Sequence, residues 1–102
     1  MKVSISNSAF NDLENMIGYY TEEGIPQIGL KFAGEIIERI QVLADLPDMG
    51  RIVPELQLLH IREMIVAPFR VVYLREESAI KVIRVWRSER PLVLPAETEG
   101  QC

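Results

Sequence analysis

The stretch from Arg62 to Arg90 constrains the fold of this chain more than any other part of the sequence. It contains three apolar runs, rich in Val, Ile, Tyr and Phe, which are separated by Ala67-Pro68 and by Glu76-Glu77-Ser78. Short β-branched and aromatic runs with turn signals between them indicate consecutive antiparallel strands joined by hairpins. Arginine recurs through these strands, at Arg62, Arg70, Arg75, Arg84, Arg87 and Arg90. A sheet that carries so many guanidinium groups suits a binding surface or a phosphate-handling site.

The sequence before this stretch predicts one short strand and two helices. Residues 2–6 alternate apolar and polar side chains, which indicates a strand with one buried face. A helix follows, with an N-cap expected at Asn7 or Ser8. Its apolar stripe is expected to consist of residues three or four positions apart, namely Phe10, Leu13, Ile17 and Tyr20.

The second helix is expected to run from Pro26 to Leu46, because Pro47 would end it. Gly29 and Gly34 lie in its interior, where glycine lowers helix stability, and they indicate close packing against the first helix. Only residues 22–25 separate the two helices, so an antiparallel helical hairpin is predicted.

The strands that follow are expected to differ in their burial. Residues 51–55 are expected to form an exposed extended connector, and a strand is expected to begin at Leu58. Glu63 falls on the apolar side of that strand, which indicates either a bulge or an ion pair with an arginine. Alternation in the last strand places four residues on one face, namely Ile80, Val82, Arg84 and Trp86. Val72, Leu74 and Val82 predict an incompletely covered apolar sheet face, which would invite a partner chain.

These elements predict an α+β fold of order β-α-α-β-β-β, with the helical hairpin on one face of a small, mostly antiparallel sheet. The 102 residues suffice for one domain, expected over residues 1–95, with the polar residues 96–102 as a flexible tail. No apolar run approaches the ~20 residues that span a bilayer, and the N-terminus has no block of signal-peptide length. A cytoplasmic location without membrane contact is therefore expected. Cys102, the only cysteine, has no His/Asp constellation around it, so neither a metal nor another cofactor is expected.

The charge of the chain is unevenly distributed. The net charge is −5 over residues 1–61 and +3 over residues 62–90, within a total of −4. A protein that holds nucleic acid by neutralising phosphates is usually strongly basic throughout. A local positive face on an acidic body favours a protein partner or a small anionic site instead.

Four segments stand out along the chain, namely AFNDLENMIGYY, LADLPDMGRIVPEL, IREMIVAPFRVVY and VIRVWRSER. In this order, and over roughly residues 3–92, they resemble the RelE/ParE toxins of type II toxin–antitoxin systems. The resemblance implies a toxin whose partner is a cognate antitoxin, a small DNA-binding protein of ribbon-helix-helix type. Operator DNA would be bound only through that antitoxin.

The superfamily divides by chemistry, and this sequence resembles the ParE (plasmid stabilisation) branch more closely. RelE-like toxins cleave mRNA on the ribosome, which requires proton transfer and charge stabilisation. The chain keeps Arg70 of that catalytic set and places Arg62 near a position that is lysine there. Ser88 and Leu94, however, stand where the RelE branch has an arginine and a tyrosine. The resemblance to ParE therefore implies inhibition of DNA gyrase by binding.

The candidate site residues follow from this interpretation. For target binding they are Arg70, Arg84, Trp86, Arg87 and Arg90. The alternative is a ribosome-dependent endoribonuclease with an altered catalytic set, for which the candidates are Arg62, Arg70, Tyr73 and Arg87. A third alternative is a toxin-like chain that binds an antitoxin but arrests nothing. Arg70 has a structural alternative as well, an ion pair with Glu63 across the strands, and Trp86 is equally compatible with a packing role.

Overall fold

The computed structural model describes residues 1–88, which form two helices and a five-stranded sheet. The elements are β1 (Lys2–Ile5), α1 (Asn7–Glu22), α2 (Pro26–Val42), β2 (Arg51–Ile52), β3 (Ile61–Val66), β4 (Phe69–Arg75) and β5 (Ala79–Arg87). The strand order in the sheet is β1-β5-β4-β3-β2. The first strand pairs in parallel with β5, and all other neighbours are antiparallel. The expected α+β fold is confirmed, with β2 as an additional strand.

The first helix begins one or two residues earlier than the sequence suggests, at Asn7. The N-cap is Ser6, whose hydroxyl accepts a hydrogen bond from the backbone nitrogen of Ala9 at 3.1 Å. The Ser6 backbone nitrogen still donates to Val82, so the strand passes into the helix without a loop. The buried side chains of α1 are Ala9, Leu13 and Met16. The expected apolar stripe was wrong at Phe10, which is 55% exposed.

The second helix ends at Val42, four residues before the expected end at Leu46. Residues 43–45 form a turn instead, in which each backbone N–H donates to the carbonyl oxygen three residues earlier. The close packing predicted at Gly29 is confirmed, since a Cβ there would lie 3.2 Å from Cα of Ile17 and from Cβ of Tyr20. At Gly34 the prediction was wrong, because nothing lies within 4 Å of that position.

Both faces of the sheet are covered. The main core lies between the helices and the sheet, and a second cluster on the other face consists of Val53, Ile61, Val72, Leu74 and Ile83. Residues 53–58 cover this second cluster, since Val53 is fully buried and Leu56 and Leu58 pack against it. The predicted uncovered face was therefore wrong. The predicted exposed connector was wrong too, because Arg51 and Ile52 pair with β3.

A bulge in β5 changes the faces of its last residues. Tyr73 pairs with Val82 and Val72 pairs with Arg84, so Ile83 is an extra residue on β5. Val82 lies in the main core, Ile83 in the second cluster, and Val85 in the main core again. Strict alternation from Ile80 to Trp86 was therefore wrong beyond Val82. This shift carries Arg84 and Trp86 to the side away from the main core.

The outer strand β1 covers only the first half of β5. Its four residues pair with positions 79–82, and the remainder of that edge of β5 lies beside α1. Within residues 1–88, neither helix is long and apolar enough to cross a membrane.

Candidate protein-binding groove

A groove with a volume of about 660 Å³ lies between α1 and the last residues of β5. The helix contributes Met16, Tyr19 and Tyr20, and the sheet contributes Phe69 and Trp86. Tyr19 is 57% exposed, so the aromatic wall on the helix side is open to solvent. We refer to this feature as the α1/β5 groove.

Aromatic rings connect this groove to the core. Tyr19 and Tyr20 meet edge to face with ring centroids 5.1 Å apart, and Tyr20 lies 5.6 Å from Phe32. Phe32 in turn lies 5.4 Å from Phe69, again edge to face. Such contacts stabilise ring pairs beyond their buried area, so the apolar wall of the groove is held in place by the core.

Two arginines border the groove, and each lies over an aromatic ring. The guanidinium of Arg84 is 4.3 Å from the centre of the Trp86 ring, and that of Arg87 is 5.8 Å from the Phe69 ring. These are cation–π distances. Of the candidates for target binding, Arg84, Trp86 and Arg87 are thus brought together at one groove. Arg90 lies outside the described residues.

Arg70 does not line this groove, although it shares a sheet face with Trp86, its partner across the strands; it lies in a buried network farther in. It is only 4% exposed, and it donates to Glu63 at 3.0 Å and to Glu55 at 2.7 Å. The hydrogen bond to Glu55 is the main reason why the pKa of the Arg70 guanidinium is raised above its ordinary value. Glu63, itself 1% exposed, also accepts a hydrogen bond from Arg51 at 2.8 Å. The ion pair between Arg70 and Glu63 is confirmed, and it explains why an acid lies on the apolar side of β3.

Tyr73 holds a turn at the opposite end of the sheet. Its side chain is fully buried, and its hydroxyl donates to Pro47 O and accepts from Gly50 N, both at 2.9 Å. Arg62 pairs with Tyr73 across the strands and donates to Gly50 O at 2.9 Å. Asp48 lies 2.9 Å from Arg75 in the same cluster. These bonds fasten the loop after α2 to the sheet.

The residues of the alternative catalytic set are therefore not assembled into one accessible site. Arg62 and Tyr73 lie together, but Arg70 is engaged with Glu63 and Glu55. Arg87 pairs with Phe69, which is four positions from Tyr73 along β4. At the rise of a strand, these four positions separate Arg87 from Tyr73 by about 13 Å. Within residues 1–88 there is no group of three metal-ligating side chains either.

Burial makes the Tyr73 phenol sensitive to alkaline pH. Desolvation raises the pKa of Tyr73 above its ordinary value of about 10, so the folded state favours the neutral phenol. The stabilisation that this provides is complete below pH ~10 and is lost as the pH rises towards the folded-state pKa. We therefore expect the free energy of unfolding to fall more steeply between pH 9 and pH 11 (about one unit on either side of that ordinary value) in the wild type than in Tyr73→Phe. Urea denaturation across this range measures the difference, and parallel curves for the two proteins would contradict it.

Sequence reasoning missed Asp12 as a site residue. Its carboxylate reaches from α1 to the edge of β5, where it accepts hydrogen bonds from Arg84 and from the backbone of Val85. The signal was present, because Asp12-Leu13 belongs to the AFNDLENMIGYY segment that carries the family resemblance. An acid near the start of a helix is usually explained by the helix dipole, whereas the partners of Asp12 are 72 and 73 residues away in sequence.

Comparison with known proteins agrees with this architecture. Residues 3–92 match the family model described as ParE toxin of type II toxin-antitoxin system, parDE. Among solved structures, the chain is similar to one described as "Chromosomal ParDE TA system from P. aeruginosa". The TM-score is 0.73 at 22% sequence identity, and the match covers 87% of this chain and 97% of that chain. A search of curated proteins finds no match.

Proposed function

This chain belongs to the ParE toxin family of type II toxin–antitoxin systems, and from this premise we propose that it arrests growth by binding DNA gyrase in the cytoplasm. Binding, and not RNA cleavage, is the proposed mode of action. A cognate antitoxin is proposed to hold the toxin inactive.

The observation that carries this proposal is the α1/β5 groove. It combines an exposed tyrosine, a tryptophan and two arginines in one open surface. Tryptophan, tyrosine and arginine are the residue types that most often dominate protein–protein binding energy. We therefore assign Arg84, Trp86 and Arg87 to target binding, with Tyr19 as an addition. Arg90 is kept as a candidate on the sequence alone.

The positions of the alternative catalytic residues support binding over catalysis. A ribonuclease must place a base, an acid and a charge-stabilising group around one phosphate. Tyr73 is buried with its hydroxyl engaged on both sides, and Arg70 is engaged with two carboxylates. Neither side chain reaches a bound RNA without a change in the fold. The buried pair Arg70–Glu63 also removes Arg70 from the proposed target surface.

The proposed antitoxin is a small DNA-binding protein of ribbon-helix-helix type. The toxin itself carries a net charge of −4, which disfavours direct binding to operator DNA. We therefore assign DNA contact in the complex to the antitoxin alone.

The purified protein is expected to inhibit DNA supercoiling by gyrase, and Trp86→Ala is expected to weaken that inhibition by about 30-fold. This is the fold-change of a typical binding hot spot of ~2 kcal/mol. The assay is supercoiling of relaxed plasmid over a series of toxin concentrations. Leu59→Ala is the matched control, since Leu59 is 78% exposed and lies outside the groove.

Unaltered gyrase activity at concentrations that still arrest growth would reject gyrase as the target. Mapping of mRNA ends in a translating extract then tests the ribonuclease alternative, for which new cuts at the ribosomal A site are the positive result. Normal growth after induction of the isolated gene would reject toxicity altogether.

A further inference from the structure

The carboxylate of Asp12 occupies the rim of the α1/β5 groove. It accepts two hydrogen bonds from Arg84, at Nε and Nη2, each 2.8 Å long. A third hydrogen bond of 2.9 Å comes from the backbone nitrogen of Val85. The side chain of Asp12 is 11% exposed and that of Arg84 is 19% exposed. A paired, two-point contact of this kind fixes both position and orientation of the guanidinium.

The first consequence concerns charge. Because the carboxylate of Asp12 compensates the guanidinium of Arg84, this arginine presents little net charge to a ligand. It is held instead as a flat group 4.3 Å from the centre of the Trp86 ring. Together with Met16, Tyr19 and Phe69, these two side chains form an apolar and aromatic part of the groove, and Asn15 and Arg87 form its polar part. The apolar part of the groove, around the compensated Arg84 and the Trp86 ring, fits aliphatic or aromatic side chains better than it fits phosphates or carboxylates.

The second consequence concerns the edge of the sheet. Beyond Val82, β5 has no strand beside it on the β1 side among the described residues. The unpaired backbone groups of an edge can accept a further strand unless something protects them. Here the N–H of Val85, which points towards that edge, already donates to Asp12. Asp12 therefore blocks strand addition at the centre of the groove.

We propose that Asp12 is a positioning residue that makes the α1/β5 groove a receptor for apolar side chains on a helix of the bound partner. A helix fits because it satisfies its own backbone hydrogen bonds, so it needs none from Val85. The inference rests on the proposed binding function of this groove, but not on the identity of the target.

A double-mutant cycle on growth arrest tests the compensation of charge. Asp12→Asn leaves the Arg84 charge uncompensated, Arg84→Met leaves the Asp12 charge uncompensated, and the double variant removes both charges. The Asn side chain can still accept from Val85 N, and Met keeps an apolar group over the indole. Each single variant is expected to need about tenfold more toxin to arrest growth, and the double variant is expected to recover most of that loss. Toxin levels are measured by immunoblot, and folding by thermal denaturation.

Asp12→Ala tests the mode of docking, because it leaves the N–H of Val85 open to a new partner strand. The helix proposal expects weaker arrest from this variant. Stronger arrest would mean that the partner adds as a strand, and it would overturn the proposal. If the double variant is as inactive as Arg84→Met alone, the partner recognises the charge of Arg84 itself. That result would overturn the proposal that the groove binds apolar side chains.

Quenching of fluorescence provides a readout that needs no target. Trp86 is the only tryptophan in the sequence, so its emission reports on the groove alone. Iodide is expected to quench Asp12→Asn about twofold more strongly than the wild type, because an uncompensated guanidinium attracts anions. Equal quenching in both proteins would overturn the role of Asp12. If the wild type leaves gyrase unaffected, only the proposed target fails, because the double-mutant cycle on growth arrest and the quenching still test the role of Asp12. If the wild type does not arrest growth, the quenching tests that role alone.

Discussion

Replacement of Glu63 by alanine is expected to lower the free energy of unfolding by about 3 kcal/mol, the lower end of the cost of removing one partner from a buried ion pair, because Arg70 keeps the half-exposed Glu55. Glu63 is 1% exposed and lies between two cations, Arg70 and Arg51. Arg51 can return to water, since its side chain is 65% exposed, but Arg70 cannot. A loss of this size is a large part of the roughly 5–15 kcal/mol that a small domain has. Urea denaturation at neutral pH measures it.

Glu55→Ala is the matched control, because Glu55 is the other acid bound to Arg70. Although it accepts a hydrogen bond of 2.7 Å, its side chain is 42% exposed, so its removal is expected to cost only about 1 kcal/mol. The double variant Glu63→Met with Arg70→Met is expected to recover most of the stability, since apolar replacement of a buried pair is often neutral. Equal losses for Glu63→Ala and Glu55→Ala would contradict the role assigned to burial.

Gly50→Ala is expected to cost about 3 kcal/mol, from steric overlap and a lost hydrogen bond together. A Cβ at position 50 would lie 2.6 Å from the backbone oxygen of Glu63 and 2.7 Å from the hydroxyl of Tyr73. The first atom belongs to a paired strand, and the second is fixed by hydrogen bonds to Pro47 and to Gly50 itself. Neither atom can move away without breaking these contacts. Thermal denaturation is expected to show a midpoint lower by about 10 °C or more.

Gly34→Ala is the control for this substitution. Nothing lies within 4 Å of position 34, which is an exposed position inside α2, so alanine there is expected to raise stability by about 0.5–1 kcal/mol. The same chemical change thus has opposite expected signs at two positions. A stability of Gly50→Ala close to that of the wild type would show that the turn over residues 47–50 can shift at little cost.

The parts of the fold that follow from local periodicity could be predicted from the sequence. The helical hairpin, the hairpins of the sheet and the acid at Glu63 all leave a signal within a few residues. The bulge at Ile83 leaves none, because Val82, Ile83 and Val85 are all apolar and each fits either face. The cover over the second face was missed for a similar reason. Residues 51–55 contain a proline and two charged side chains, so they indicate an exposed connector, and only the tertiary structure shows that Val53 is buried.

Of the residues that the sequence proposes for target binding, Arg84, Trp86 and Arg87 lie at one groove, and their role there stays a prediction. Alternation alone did not distinguish Arg70 from them, because Arg70 pairs directly with Trp86 across the strands and shares its face of the sheet. The two side chains differ because Arg70 binds Glu55, which belongs to the residues 53–58 that cover the second cluster. Asp12 was missed because a contact across more than 70 positions has no local pattern.

The parallel pairing of β1 with β5 has a consequence for synthesis of the protein. The first strand made on the ribosome finds its neighbour only after residues 79–82 have been made, and the groove needs residues up to Arg87 as well. Contacts between distant parts of a chain form late, because closing a long loop is entropically costly. A nascent chain that stops before β5 therefore lacks one wall of the groove, and we expect it to be harmless to the cell that makes it. The interval between the start of translation and the appearance of a harmful surface gives a neutralising partner time to be present first.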